Sequence, residues 1–94
     1  MNTVGKEQDL LIEILTDELP VLRARLMISQ DELSRRIGIS RQTYSLIETK
    51  KQKMTWVTFM ACIAFFQNNA KTKEELIGMG LITDSSFQKL LQKS

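Results

Sequence analysis

Between Ile28 and Glu48 the chain reads ISQDELSRRIGISRQTYSLIE, with one helix-start signal on each side of a single glycine. Ser29 is a strong N-cap residue, and Glu32 at the third helical position completes a capping box, in which each side chain satisfies a backbone amide of the other. Ile28 and Leu33 bracket the cap as a hydrophobic staple. The device then recurs with Ser40 as cap and Ile39 and Tyr44 as staple, and Gly38 falls where the turn requires a left-handed backbone. Two short helices must therefore meet at a tight corner.

The side chains of this unit sort by face. Leu33 and Ile37, four apart, share one side of the first helix, and small Ser34 allows the second helix to approach closely. Tyr44 and Ile47 point inward from the second helix. At 3.6 residues per turn Gln42, Ser45, Leu46 and Thr49 then point outward, with Arg41 at the exposed N-terminal end. Arginine matches the paired acceptors of guanine, glutamine matches the donor and acceptor edge of adenine, and a leucine can meet a thymine methyl. Arg41, Gln42, Ser45 and Leu46 are the candidate base-reading residues of a helix built to enter a major groove. The competing reading of Leu46 is packing against a neighbouring loop.

The segment from about Leu19 to Phe66 resembles the lambda-repressor-like, or Cro/Xre, family of five-helix DNA-binding domains. The matching residues are Leu22 and Arg23, the S-Q-x-E-L of Ser29 to Leu33, Gly38, the S-R-Q-T of Ser40 to Thr43, and Ile47 with Glu48. The chain departs from the pattern at Met27, where a glycine is common, at Met54, where a proline is frequent, and over residues 1 to 18. The resemblance implies an all-α, five-helix domain that binds double-stranded DNA as a homodimer and regulates transcription, most simply as a repressor. It also implies that Gln30 touches a phosphate and that Arg23 pairs with Glu48, tying the leading helix to the recognition helix.

Charge is distributed as phosphate binding requires. Residues 1 to 18 set Lys6 against Glu7, Asp9, Glu13, Asp17 and Glu18, a net of −4. Residues 19 to 53 set Arg23, Arg25, Arg35, Arg36, Arg41, Lys50, Lys51 and Lys53 against Asp31, Glu32 and Glu48, a net of +5, although the whole chain carries only +2. Charge runs more often mark ordinary solvated faces. Here the KKQK run directly follows the recognition helix, so Lys50, Lys51 and Lys53 join Gln30, Thr43 and Thr49 as candidate contacts to the DNA backbone.

The flanks read as support. Leu10, Leu11, Ile14 and Leu15 make an apolar stripe over residues 7 to 18, an extra N-terminal helix that Pro20 should interrupt or restart. Thr55 caps the next helix, with Met54 and Phe59 as staple and Trp56, Phe59, Met60, Ile63 and Phe66 as its apolar side. Thr72 and Glu75 suggest a capping box for a helix ending near Gly78 to Gly80, and Ser85 with Gln88 opens a short C-terminal one. The expected organisation is a single domain: an extension helix over 1–18, a helix-turn-helix domain over 19–80 and a helical tail over 81–94. Excess apolar surface on the flanking helices serves either one monomeric core or a two-fold dimer interface.

Composition narrows the function further. There is no histidine, no glycine-rich phosphate loop and no spaced cluster of metal ligands, so neither an enzyme nor a metal or other cofactor is expected. Cys62, the single cysteine, lies in the apolar run FMACIAFF and reads as a buried, inert thiol. That run is too short to span a bilayer, and MNTVGKEQD lacks the order of a secretion signal, so a cytoplasmic address without a membrane partner is expected. The alternative to a DNA-binding regulator is a protein-interaction module, such as an antitoxin that neutralises a partner through its N- or C-terminal helix.

Overall fold

The computed structural model describes residues 3–82 and contains α1 (Thr3–Leu26), α2 (Gln30–Ile37), α3 (Arg41–Glu48), α4 (Trp56–Gln67) and α5 (Ala70–Gly78). No strand occurs among the described residues, and the fold is all-α as expected. The C-terminal helix expected from Ser85 lies outside them.

The N-terminal extension is not a separate helix. α1 runs unbroken through Pro20. Proline in a helix interior costs about 3 kcal/mol, because position 20 has no N–H for the Thr16 carbonyl and its ring crowds the preceding turn. Burial on the opposite face offsets that cost. Ile12, Leu15, Leu19 and Leu22, spaced three and four apart, are almost wholly buried, and each such side chain contributes about 1.5–3 kcal/mol when removed from water. Pro20 itself lies exposed. The buried stripe is also rotated from the expected one, since Leu10 is 56% exposed while Ile12 is in the core.

Around α1 the other helices close the core. It packs on α3, α4 and α5, while α2 packs on α3 and α4, and α4 on α5. Leu33, Ile37, Tyr44, Ile47, Met54, Phe59, Cys62, Phe66 and Leu76 complete the buried set. Burial pushes the Cys62 thiol up to about 12, so it stays protonated and inert. Along α4, Val57 and Met60 face solvent, which puts Met60 outside the apolar side expected for it.

Helix starts follow the capping residues, with two corrections. Ser29, Ser40 and Thr55 each accept a hydrogen bond from the backbone amide three residues on. Glu32 does not reach back to the Ser29 amide. Its carboxylate turns instead to Arg35 and Arg36, which offer charged donors in place of a neutral one. α5 is capped by Asn69 rather than Thr72, whose buried hydroxyl donates to the Phe66 carbonyl at 2.7 Å.

Four helices end alike. In each, a left-handed residue lets the following amide bond back to the last turn: Met27 (φ 56), Gly38 (φ 80), Lys50 (φ 64) and Gly80 (φ 80). The closing bonds are Ile28 N to Arg23 O, Ile39 N to Ser34 O, Lys51 N to Leu46 O and Leu81 N to Leu76 O, at 2.8–3.2 Å. These stops fix the α1–α2 and α2–α3 corners, and with them the pose of α3.

Candidate nucleic-acid interface

α3 turns Tyr44 and Ile47 into the core, leaving 1% and 2% of their surfaces exposed. The opposite face carries Arg41, Gln42, Ser45 and Leu46, with Thr49 just past its end. Arg41, Gln42 and Thr49 are exposed, and Ser45 and Leu46 half-buried. All four candidate base-reading side chains thus share one side of α3, and its capped N-terminal turn presents the two longest of them.

The inner end of α3 is held by a polar cluster centred on Glu48. Arg23 donates to it through Nε (2.9 Å to Oε2) and Nη2 (2.8 Å to Oε1), a bidentate pair of good geometry. Nη1 of the same guanidinium reaches the Ile28 carbonyl at 3.2 Å, so one side chain ties α1, the α1–α2 turn and α3 together. The Tyr44 hydroxyl donates to Glu48 Oε2 at 2.5 Å, and Gln30 Nε2 donates to Oε1 at 2.8 Å. The Glu48 side chain is only 8% exposed. Burial opposes its charge, but the Arg23, Tyr44 and Gln30 donors together outweigh it and hold the carboxyl below the usual range. The Arg23 guanidinium is raised, chiefly by its bond to Glu48. Tyr44, read from sequence as a staple and an inward-facing side chain, is therefore also part of this cluster, and its i, i+4 spacing to Glu48 is the signal that would have revealed it.

The cluster spends part of the donor capacity assigned to DNA. One N–H of Gln30 goes to Glu48, leaving the other, together with the amide oxygen. Thr43 Oγ1 accepts a bond from Ser40 Oγ and keeps its own proton to give. Thr49 donates its hydroxyl back to the Ser45 carbonyl, at 2.8 Å.

Of the basic residues between positions 19 and 53, most face carboxylates. Arg23 pairs with Glu48, Arg25 with Glu75, Arg35 with Asp31 and Glu32, and Arg36 with Glu32. Lys50 pairs with Asp17 and Lys53 with Asp9, both acids belonging to α1. Arg41 and Lys51 remain without an ion pair among the described residues, one at each end of α3. Within this segment the uncompensated positive charge thus flanks α3. The sequence showed a basic segment but not this cancellation, because the acids that cancel Lys50 and Lys53 lie more than thirty residues away.

Among the described residues no group of side chains is arranged to hold a metal, and no helix is long and apolar enough to cross a membrane. Residues 22–55 match the helix-turn-helix family, a span running from the last turns of α1 through α2 and α3 to the cap of α4. Neither the curated proteins nor the solved structures gave a match.

Proposed function

We propose that this chain, which carries a lambda-repressor-like helix-turn-helix domain and is thereby a DNA-binding regulator, represses transcription by laying α3 in the major groove of a specific site. The observation that carries the reading is the head of α3, where Arg41 and Gln42 stand exposed and, among the described residues, without an ion pair or side-chain hydrogen bond, on the face opposite buried Tyr44 and Ile47. Arg41, Gln42, Ser45 and Leu46 read base edges. Gln30, Thr43, Thr49, Lys50, Lys51 and Lys53 contact the backbone. Repression follows most simply from occlusion of the bound site, in the cytoplasm. The working form is a homodimer, since one eight-residue helix reads too few base pairs alone. Its two recognition helices sit roughly 34 Å apart, one turn of DNA. Val57, 77% exposed, and Met60, 56% exposed, offer the second copy an apolar surface on α4.

Titration of a selected site and a scrambled duplex across several salt concentrations tests this. Arg41→Ala or Gln42→Ala is expected to weaken the selected site by about 1–3 kcal/mol and to relax base preference locally. Lys51→Ala is expected to weaken both duplexes alike and to flatten the salt dependence. Equal losses on both duplexes for Arg41→Ala and Gln42→Ala overturn the base-reading assignment.

A further inference from the structure

Asp9, Glu13 and Asp17 follow one another at intervals of four along α1, so their carboxylates form a single row spaced about 6 Å apart. The row runs beside the loop that leaves α3. The two walls enclose an open groove of about 390 Å³, with Asp9, Glu13 and Asp17 on one side and Lys50, Lys51 and Lys53 on the other. Asp17 holds Lys50 and Asp9 holds Lys53, and the Lys50 ammonium is raised by its bond to Asp17, with Glu13 adding to the effect. The loop backbone is itself fixed, through Lys51 N to Leu46 O at 2.8 Å and through buried Met54. The lysines therefore cannot retreat from the acids by moving the chain. Only their side chains can turn.

We propose that the acidic face of α1 is an internal competitor for DNA phosphate: Asp9 and Asp17 occupy Lys50 and Lys53 in the free protein and hold down its affinity for any duplex. The proposal rests on the DNA-binding reading above. Its physical basis is that a backbone contact made by either lysine must first break an existing ion pair. The carboxylate left behind then takes up a counterion, which cancels part of the ion release that drives binding. Both pairs are solvent-exposed, so they are weak enough for DNA to displace. Since they act on sequence-independent contacts, the brake falls on specific and non-specific binding alike, leaving Arg41 and Gln42 to decide which sites are held.

The test is Asp9→Asn with Asp17→Asn in the full chain, measured against a mixed-sequence 20-base-pair duplex and a selected site from low to high salt. Both acids are exposed, and the fold is expected to keep its thermal midpoint. The double variant is expected to bind the mixed duplex roughly three- to tenfold more tightly, with the slope of log K against log salt steeper by about 1–2. The selected site should gain no more than the mixed one. In a Lys50→Gln, Lys53→Gln background the same two substitutions should gain nothing. Unchanged affinity and slope on a duplex that the intact protein does bind overturns the brake while leaving the DNA-binding reading intact. An equal gain in the lysine-free background also overturns it, because the acids would then act by long-range repulsion rather than through the paired lysines. Binding to no duplex by either protein overturns the DNA-binding reading itself.

Discussion

Replacing Glu48 tests whether α3 is held by the polar cluster or by apolar packing alone. In Glu48→Ala, two bonds from Arg23 and one each from Tyr44 and Gln30 lose their acceptor at once. Breaking a fully buried pair by removing one partner costs about 3–5 kcal/mol. Arg23 is 20% exposed, so water recovers part of its solvation, and the buried Tyr44 hydroxyl is the group left with least help. The expected loss is about 2–4 kcal/mol, which for a domain of this size lowers the midpoint by roughly 10–25 °C. Glu48→Gln keeps one acceptor oxygen and should lose less. Urea unfolding followed by far-ultraviolet circular dichroism, on Glu48→Ala, Arg23→Met and the double variant, gives the coupling directly. The acid side offers a second readout. With its folded pKa below the ordinary 4.5, Glu48 contributes its full stabilisation above that value and loses it as pH falls through the folded value. The intact protein should therefore weaken below about pH 4.5, and Glu48→Gln should lack this share of the decline. A Glu48→Ala loss under about 1 kcal/mol with no coupling to Arg23, as for a surface pair, would refute the reasoning.

The backbone gives two further expectations. Met27 is left-handed and 89% exposed, so Met27→Gly should stabilise by about 1 kcal/mol in the same urea experiment, whereas Gly38→Ala, with nothing near its added methyl, should lose about 1–2 kcal/mol from backbone strain alone; changes of the same sign at both sites would contradict the shared geometry. Pro20→Ala restores an amide to the middle of α1 and should stabilise by about 1–2 kcal/mol after allowing for the freer unfolded chain, and an unchanged thermal midpoint would show that the helix already adjusts to the proline.

What the sequence made legible was whatever is set by neighbours along the chain. Ser29, Ser40 and Thr55 each act within three residues, and their caps stand where the local pattern puts them. Gly38 announces its stop by composition. Met27 and Lys50 adopt the same left-handed turn with no residue-type signal, because the helices on either side force it. The unexpected glycine-to-methionine departure at position 27 thus alters the energy of the corner and not its shape. Pro20 failed as a boundary for the converse reason: its local cost is smaller than the burial of Leu15, Leu19 and Leu22, which depends on helices that a local reading does not see. The outward residues of α3 follow from period and cap. Which cations remain unneutralised does not, since that depends on contacts between α1 and the loop after α3.

The unbroken α1 gives those contacts a mechanical consequence. Arg23 near its C-terminal end grips Glu48, the last residue of α3, while Asp17 and Asp9 grip the loop that follows. All three belong to one rigid helix, yet the two grips differ in kind. The Glu48 cluster is shielded, bidentate and shared by several donors, so it resists exchange with solvent or phosphate. The lysine pairs are exposed, single contacts between flexible side chains, screened by salt. A phosphate backbone approaching the loop therefore displaces the second set well before it disturbs the first. On the proposal made above, α3 keeps its position while the charge around it is exchanged, and the acidic helix sets how tightly DNA is held without altering the face that α3 presents.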